Sequence, residues 1–272
     1  MEPVITSKQN NLVKYIRGLR EKRNREQERR FVIEGVKFVS EAVSSGHFPE
    51  KIIISERGEN NPAVRAIISG LGASQIVRVN DAVMEYMGET DTPQGIMGLV
   101  KINGVSLTDL VVTPQSMFAV VEGVQDPGNV GTIIRIADAF GAGGVILSRG
   151  CADLYNAKTL RSTMGSLFHV PVVRETDITG IEAFLGRNSV FSAVTSLEEN
   201  TIPVHEADFK LPLAIIFGNE ARGVSPELRR AADIKVRIPM AGEAESLNVA
   251  TAAGIVFYEA FRQHGSKAKS NL

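Results

Sequence analysis

Val121-Glu122-Gly123-Val124-Gln125-Asp126-Pro127-Gly128-Asn129-Val130-Gly131-Thr132-Ile133-Ile134-Arg135-Ile136-Ala137-Asp138-Ala139-Phe140-Gly141 reads as a buried strand, a polar turn and a helix. Apolar residues at 130, 133, 134, 137 and 140 follow a helical period. Gly141 sits where a helix-terminating glycine belongs. Gly128, Gly131 and Arg135 fall on the opposite stripe, at i, i+3 and i+7. A stripe that only faced water would gain nothing from helix-weakening glycine. Two glycines beside a long cation therefore leave room for an anionic or polar partner. The plain alternative is one surface arginine on an ordinary helix.

Working outward, strands are expected at 117–124, 144–148, 189–194, 213–218 and 235–239. Helices are expected near 156–168 and 178–186, from Ser225-Pro226 onward, and from about 246 to 263. Ser225 followed by Pro226 pairs a hydroxyl cap with proline at the first helical position. Three polar islands stand at strand C-terminal ends, where open α/β sheets bind ligands. They are Gln125–Arg135, Phe217–Ser225 and Ile238–Asn248. The second and third end at helix N-termini, which offer free N–H groups. Each alone is ordinary architecture, but each also carries an amide or a carboxylate. Gly141-Ala142-Gly143-Gly144 is no dinucleotide fingerprint, because it follows a helix and precedes a strand.

Residues before 104 form an alternating α/β pattern of about 100 residues, a typical domain size. Residues 11–30 read as one amphipathic helix, with Leu12, Ile16 and Leu19 inward and Lys14, Arg17 and Arg20 outward. Strands follow at 31–33, 52–54, 76–79 and 96–102, with helices at 36–45, 62–71 and, capped by Asp81, 81–87. The expected division is residues 1–103, a linker at 104–115, a second domain at 116–264 and a flexible tail at 265–272.

The net charge of −1 hides an uneven distribution. Between Lys8 and Arg30, nine basic residues face three glutamates, leaving +6 and a net negative remainder. A basic end suggests a polyanion partner. Lys22, Arg23, Arg25, Arg29 and Arg30 are the candidate RNA-binding residues; the bland reading is a solvated helix face. The single cysteine, Cys151, excludes an internal disulfide and a cysteine-rich metal site. His47, His169, His205 and His264 are scattered, so no metal is expected, and His169 reads as a packed core residue. Nucleophilic catalysis finds no Cys–His pairing. With no long apolar run and no secretory signal, no membrane partner is expected, and a reducing, cytoplasmic setting fits. Glu220 could simply pair with Arg222.

At the three islands the chain resembles the SpoU (TrmH) family of RNA ribose 2′-O-methyltransferases, of the SPOUT class. The matching residues are Asn129 with Arg135; Phe217-Gly218-Asn219-Glu220; and Ile238-Pro239-Met240 with Ser246-Leu247-Asn248. The first domain is similar to this family's substrate-binding module at Ile5-Thr6-Ser7 with Asn10, Phe31-Val32-Ile33-Glu34-Gly35, and Thr92-Pro93-Gln94-Gly95. The resemblance covers residues 4–263.

The resemblance implies a two-domain α/β fold: a small ribosomal-protein-like α/β domain, then a parallel-sheet domain with a C-terminal trefoil knot. It implies S-adenosylmethionine as cofactor, held around Gly218, Ile238 and Leu247 with Phe217, Asn219, Pro239 and Met240. It implies a catalytic set of Arg135, Asn129, Glu220, Ser246 and Asn248, with Arg135 assigned to ribose deprotonation. Arginine yields its proton near neutral pH only at roughly 7 kcal/mol, so an electrostatic clamp is physically easier. A homodimer through the last helix and the helix of the first island is also implied. The expected substrate is RNA, with large-subunit rRNA ahead of tRNA. A non-catalytic RNA-binding or ribosome-assembly protein is the competing reading.

Overall fold

A computed structural model describes residues 3–90, 92–198 and 200–265. By its contacts the chain divides into two units. The first holds residues up to Gly104 together with Tyr155–Phe168; the second holds Val105–Leu154 and the residues from His169 onward. This differs from the expected division in two segments: the linker expected at 104–115 belongs from Val105 onward to the second unit, where Leu110 is in the core with Val105, Leu107 and Val112 packed against it, and 155–168 belongs to the first. Leu160 and Phe168, both buried, belong to a core with Phe31, Phe38 and Val39, so 155–168 completes the first unit. Of the tail expected at 265–272, residues 266–272 lie outside the described residues.

In the first unit, β1 (Arg30–Glu34), β2 (Lys51–Ile54), β3 (Ile76–Arg78) and β4 (Ile96–Lys101) form one sheet in the order β1-β4-β2-β3. β4 runs antiparallel to β1 and β2, while β2 and β3 are parallel. Successive strand side chains point to opposite faces, so each β2 residue chooses a core. Ile52 and Ile54 join the core under Val36–Ser44 and Pro62–Ser69; Ile53 joins the one under Asn11–Gly18 and Asp81–Met87. Asn80, not Asp81, caps that last helix, accepting from the Val83 N–H at 2.9 Å.

The helix expected over 11–30 is two helices, Asn11–Gly18 and Lys22–Glu28. Arg25 explains the break. It is 5% exposed, and its guanidinium donates to the Leu19 and Arg20 carbonyls just past the first helix. Those carbonyls have no intrahelical partner, and a buried arginine supplies one. Arg20, expected to face away, donates to the Met87 and Gly88 carbonyls. Arg29 ends the second helix in the left-handed region, at φ +53°.

In the second unit, β5 (Met117–Val121), β6 (Gly144–Ser148), β7 (Val172–Thr176), β8 (Phe191–Thr195), β9 (Ile202–Pro203), β10 (Leu213–Phe217) and β11 (Ile234–Arg237) form one parallel sheet. Its order is β7-β6-β5-β10-β8-β11-β9. Every residue of β5, β6 and β10 is buried, as central parallel strands covered on both faces require. From β5 the chain builds β6 and β7 to one side, then β8, β10, β11 and β9 to the other. β5 and β10 thus meet where the strand order reverses, and a crevice opens at such a point. Their register pairs Val121 with Phe217, which sets the first two islands side by side.

Several boundaries differ from expectation. The strand before the first island ends at Val121, the helix expected near 156–168 is Ala157–Thr163 followed by a short turn at Ser166–Phe168, and the last helix spans Val249–His264 because Asn248 caps it, accepting from the Ala250 and Thr251 N–H groups. That helix is not buried all round. Thr251, Ile255, Tyr258 and Arg262, spaced as one stripe, are exposed, while Ala253, Val256, Phe257 and Ala260 are inside.

Candidate active site

The first island folds as expected, as a strand, a polar turn and a helix. Asp126 is the N-cap of the Pro127–Ala139 helix and accepts from the Asn129 N–H at 3.0 Å. Pro127 fits the first position, where its missing N–H costs nothing. Gly141, at φ +68°, ends the helix, and the Ala142 N–H returns to the Ala137 carbonyl. Gly131 departs from expectation: it is buried beside Val130, so it does not open space for a partner. Only Gly128 and Arg135 of that stripe reach solvent.

The second island is a tight turn tied to the end of β5. Asn219 donates to the Gly123 carbonyl at 2.7 Å and accepts from the Ala221 and Arg222 N–H groups. Asn219, expected to hold a cofactor, therefore uses its amide to build the turn. Gly218 has no room for a side chain: a Cβ would stand 2.1 Å from the Gly223 carbonyl carbon and 2.2 Å from the Val224 nitrogen. The glycine is required by the chain's own turn. Glu122, unnoticed in the sequence, accepts from the Ser225 N–H at 2.8 Å and pins the far side of the turn. Its signal was a carboxylate directly after a buried strand.

Three motif residues form a relay across the islands. Asn129 Nδ2 donates to Glu220 Oε1 at 3.0 Å, and Asn248 Nδ2 donates to Asn129 Oδ1 at 2.9 Å. Glu220 also accepts from the Gln125 and Asp126 N–H groups, each at 3.3 Å. Burial pushes the Glu220 carboxyl upward, but the Asn129 amide and these backbone N–H groups outweigh it and hold the group below the usual carboxylate range. Glu220 is therefore an anion bound by amides, and its partner is not Arg222. Asn129 both donates and accepts, using the separate nitrogen and oxygen of its amide.

Arg135 is exposed and has no hydrogen bond or ion pair among the described residues. It stands six residues beyond Asn129, about 9 Å along the helix axis and about 120° around it. It does not join the relay and faces solvent as a free cation. Ser246 is likewise exposed, without a partner among the described residues. Pro239–Leu247 is an exposed loop whose backbone makes no hydrogen bond within the chain among the described residues. Met240 and Leu247, each 36% exposed, present apolar side chains there; Ile238 is half-buried and Phe217 fully buried beneath.

Other expectations change. His169 is exposed, with Nδ1 3.0 Å from Asp138 Oδ2, and is not a core residue. Cys151 donates to the Val121 carbonyl at 3.2 Å, and burial pushes its thiol up, which leaves it a poor nucleophile. Of the five candidate RNA-binding residues, Arg25 is buried and Arg30 is clamped by both oxygens of Glu50. Lys22 lies 3.8 Å from Glu26, while Arg23 and Arg29 are exposed. Among the described residues no cluster of His, Cys, Asp and Glu could hold a metal, and no helix is long and apolar enough to cross a membrane.

Comparison with known proteins agrees with this geometry. Residues 116–258 match the SpoU rRNA methylase family, and residues 10–98 match the MRM3-like substrate-binding domain. A 23S rRNA (uridine-2479-2′-O)-methyltransferase of Streptomyces viridochromogenes is 34% identical, over 90% of this chain and 86% of that protein. A 23S rRNA (guanosine-2553-2′-O)-methyltransferase of Bacillus subtilis is 35% identical, over 93% of this chain and 97% of that protein. An AdoMet-bound rRNA methyltransferase from Sinorhizobium meliloti superposes with a TM-score of 0.86 at 34% identity, over 97% of this chain and 99% of that one. The two-domain α/β architecture with a parallel sheet is that of SPOUT methyltransferases. The chain belongs to the SpoU rRNA methylase family.

Proposed function

We propose that this chain methylates a ribose 2′-hydroxyl of large-subunit ribosomal RNA, with S-adenosylmethionine as donor. The observation that carries the reading is the Glu220–Asn129–Asn248 relay, which joins all three islands at the crevice between β5 and β10. Relatives named as 23S rRNA methyltransferases cover nearly the whole chain, the 10–98 module included, which favours rRNA over tRNA.

The donor set fits the cofactor. Pro239–Leu247 leaves backbone N–H and C=O groups unsatisfied by the chain, beside the exposed apolar Met240 and Leu247. A purine nucleoside with a sulfonium-bearing amino-acid tail needs that mixture of polar edges and apolar contact. Gly218, Ile238, Pro239, Met240 and Leu247 would hold it, over Phe217. When bound, it supplies an electrophilic methyl on sulfur.

The chain's own residues then divide the work. Asn129, held from both sides, fixes the first helix against the other two loops. Glu220 orients Asn129; with its oxygens occupied it is an anchor and not the proton acceptor. Arg135, a free guanidinium, clamps an RNA phosphate or the developing alkoxide electrostatically. Ser246 offers an unengaged hydroxyl to the ribose. Geometry of this kind supplies several kcal/mol of barrier lowering by holding reactants in line.

The active unit is proposed to be a homodimer. Ile255 and Tyr258 are 37% and 56% exposed on the last helix, next to Phe140 at the end of the first-island helix. The cytoplasm is the proposed setting, as for a bacterial-type rRNA methyltransferase such as the Bacillus subtilis relative. The test is transfer of labelled methyl from S-adenosylmethionine to 23S rRNA by the full chain and by Arg135→Ala. Activity in the first, lost in the second with cofactor binding kept, is expected; an unchanged rate in Arg135→Ala removes the role given to it.

A further inference from the structure

The basic residues at the start of the chain do not act as one arm. The structure separates those used internally from those left free. Arg20, Arg25 and Arg30 are engaged by carbonyls or by Glu50, and Lys22 faces Glu26. A different group is left over. The Lys8 ammonium lies 4.9 Å from the centre of the Tyr86 ring, and the Arg17 guanidinium lies 4.0 Å from it. Lys14 is exposed one turn before Arg17, and residues three apart on a helix are surface neighbours. None of Lys8, Lys14 or Arg17 has a carboxylate partner among the described residues. The adjacent Glu85 is engaged by Arg57.

Packing fixes this group in place. Val13 and Ile16 of one helix, with Leu19 at its C-cap, bury against Val83, Met84 and Met87 of the other. That leaves Lys14, Arg17 and Tyr86 toward solvent at the seam. A cation over an aromatic face is attracted by the ring's quadrupole even at an exposed site. The ring thereby holds the Arg17 guanidinium in one orientation, so less rotamer entropy is lost when its planar fork meets a phosphate. A run of positive charge without local counter-ions, beside a half-exposed ring, suits a phosphodiester backbone.

We infer that Lys8 and Arg17, seated on Tyr86, and Lys14, one turn before Arg17, form the surface on which the RNA backbone docks, and that Lys22–Arg30 contributes little. This rests on RNA being the substrate, as proposed above, and it reassigns where the first unit grips it.

The test measures equilibrium binding of the full chain to in vitro transcribed 23S rRNA between 0.05 and 0.3 M salt. Each phosphate contact contributes about 0.7–0.9 to the slope of log K against log salt. Lys8→Gln/Lys14→Gln/Arg17→Gln is expected to lower that slope by about 2 and to weaken binding about tenfold or more at 0.1 M salt. Tyr86→Phe is expected to bind as the parent does, and Tyr86→Leu to lose part of the affinity with an unchanged melting temperature. Lys22→Gln/Arg23→Gln is expected to change the slope by less than half as much. An unaltered slope in the triple variant overturns the inference, as does an equal loss in the Lys22/Arg23 pair. A parent that binds rRNA with this dependence yet methylates no ribose contradicts the proposed activity and leaves the docking surface standing.

Discussion

Replacing Asn129 with aspartate turns the central amide of the relay into a carboxylate. The new carboxylate would still accept from Asn248, but it would present an oxygen to Glu220 where the parent presents an N–H, at 3.0 Å. Two unit charges at that separation repel by about 1.4 kcal/mol in water and about 5.5 kcal/mol at an effective dielectric of 20. Both groups are partly solvated, so the lower end applies, about 1.5 kcal/mol; the lost hydrogen bond adds about 1 kcal/mol. At about 2–4 °C per kcal/mol for a chain of this size, the melting temperature should fall by roughly 5–10 °C at neutral pH. The pH dependence carries the diagnosis. Two adjacent carboxyls cannot both ionise easily, so one has a raised pKa in the folded variant. Its penalty is absent below the ordinary carboxylate range and grows as pH rises through the raised value. In the parent the amides depress the Glu220 pKa, so its stabilisation is present above the ordinary range and lost as pH falls. The gap between the two melting curves should therefore be widest near pH 7 and narrow toward pH 4. Asn129→Ala, which brings no charge, should show a smaller narrowing, because it loses only the part of the Glu220 stabilisation that the Asn129 amide supplies. Scanning calorimetry of the three proteins from pH 4 to 8 decides it; a gap independent of pH would refute the relay as the source of the effect.

Other consequences follow from the same geometry. Gly218→Ala forces a Cβ to within 2.2 Å of the backbone at Gly223 and Val224, so the turn must shift; a loss of about 2 kcal/mol and much weaker S-adenosylmethionine binding by calorimetry are expected. Glu259 is held at a pKa of about 2 by the Arg262 guanidinium, with burial opposing and Gln263 assisting. It stabilises the last helix above the ordinary glutamate range and stops doing so as pH falls toward 2, so Glu259→Gln should cost roughly 1–2 kcal/mol at pH 7 and nearly nothing at pH 2, read from denaturant unfolding. Tyr258→Asp, on the exposed stripe, should shift the chain from dimer to monomer in sedimentation, with its helix content unchanged. Cys151→Ala should leave methyl transfer intact, since its thiol is tied to the Val121 carbonyl.

What was legible in the sequence was whatever depends on near neighbours. The helical period from Val130 to Phe140, the Ser225-Pro226 start and the glycine at 141 each lie within one turn of the element they fix, and each appears where expected. β7 was missed because Pro171 precedes it and Arg174-Glu175 interrupts its apolar run; its pairing with β6 at the sheet edge supplies what local sequence does not. Arg25 was misplaced because an arginine in a charged run reads as solvated, and only the break between two helices gives it carbonyls to serve. Gly131 and His169 failed for the same reason: the period says which stripe a residue joins, but packing decides whether the stripe is covered. The relay spans 91 and 119 residues along the chain, so no local pattern could show it. Resemblance to the family's three motifs named its members. The structure adds that Asn129 is the joint, that Asn219 serves the turn, and that Arg135 stands apart.

The most direct test is to incubate the purified chain with unmodified 23S rRNA and methyl-labelled S-adenosylmethionine, and then to map the label by digestion to nucleosides. The expected result is label on a ribose 2′-oxygen at one position, absent in Arg135→Ala and strongly reduced in Asn129→Ala. Label on a base nitrogen or carbon, or none on rRNA while tRNA is methylated, would contradict the assignment.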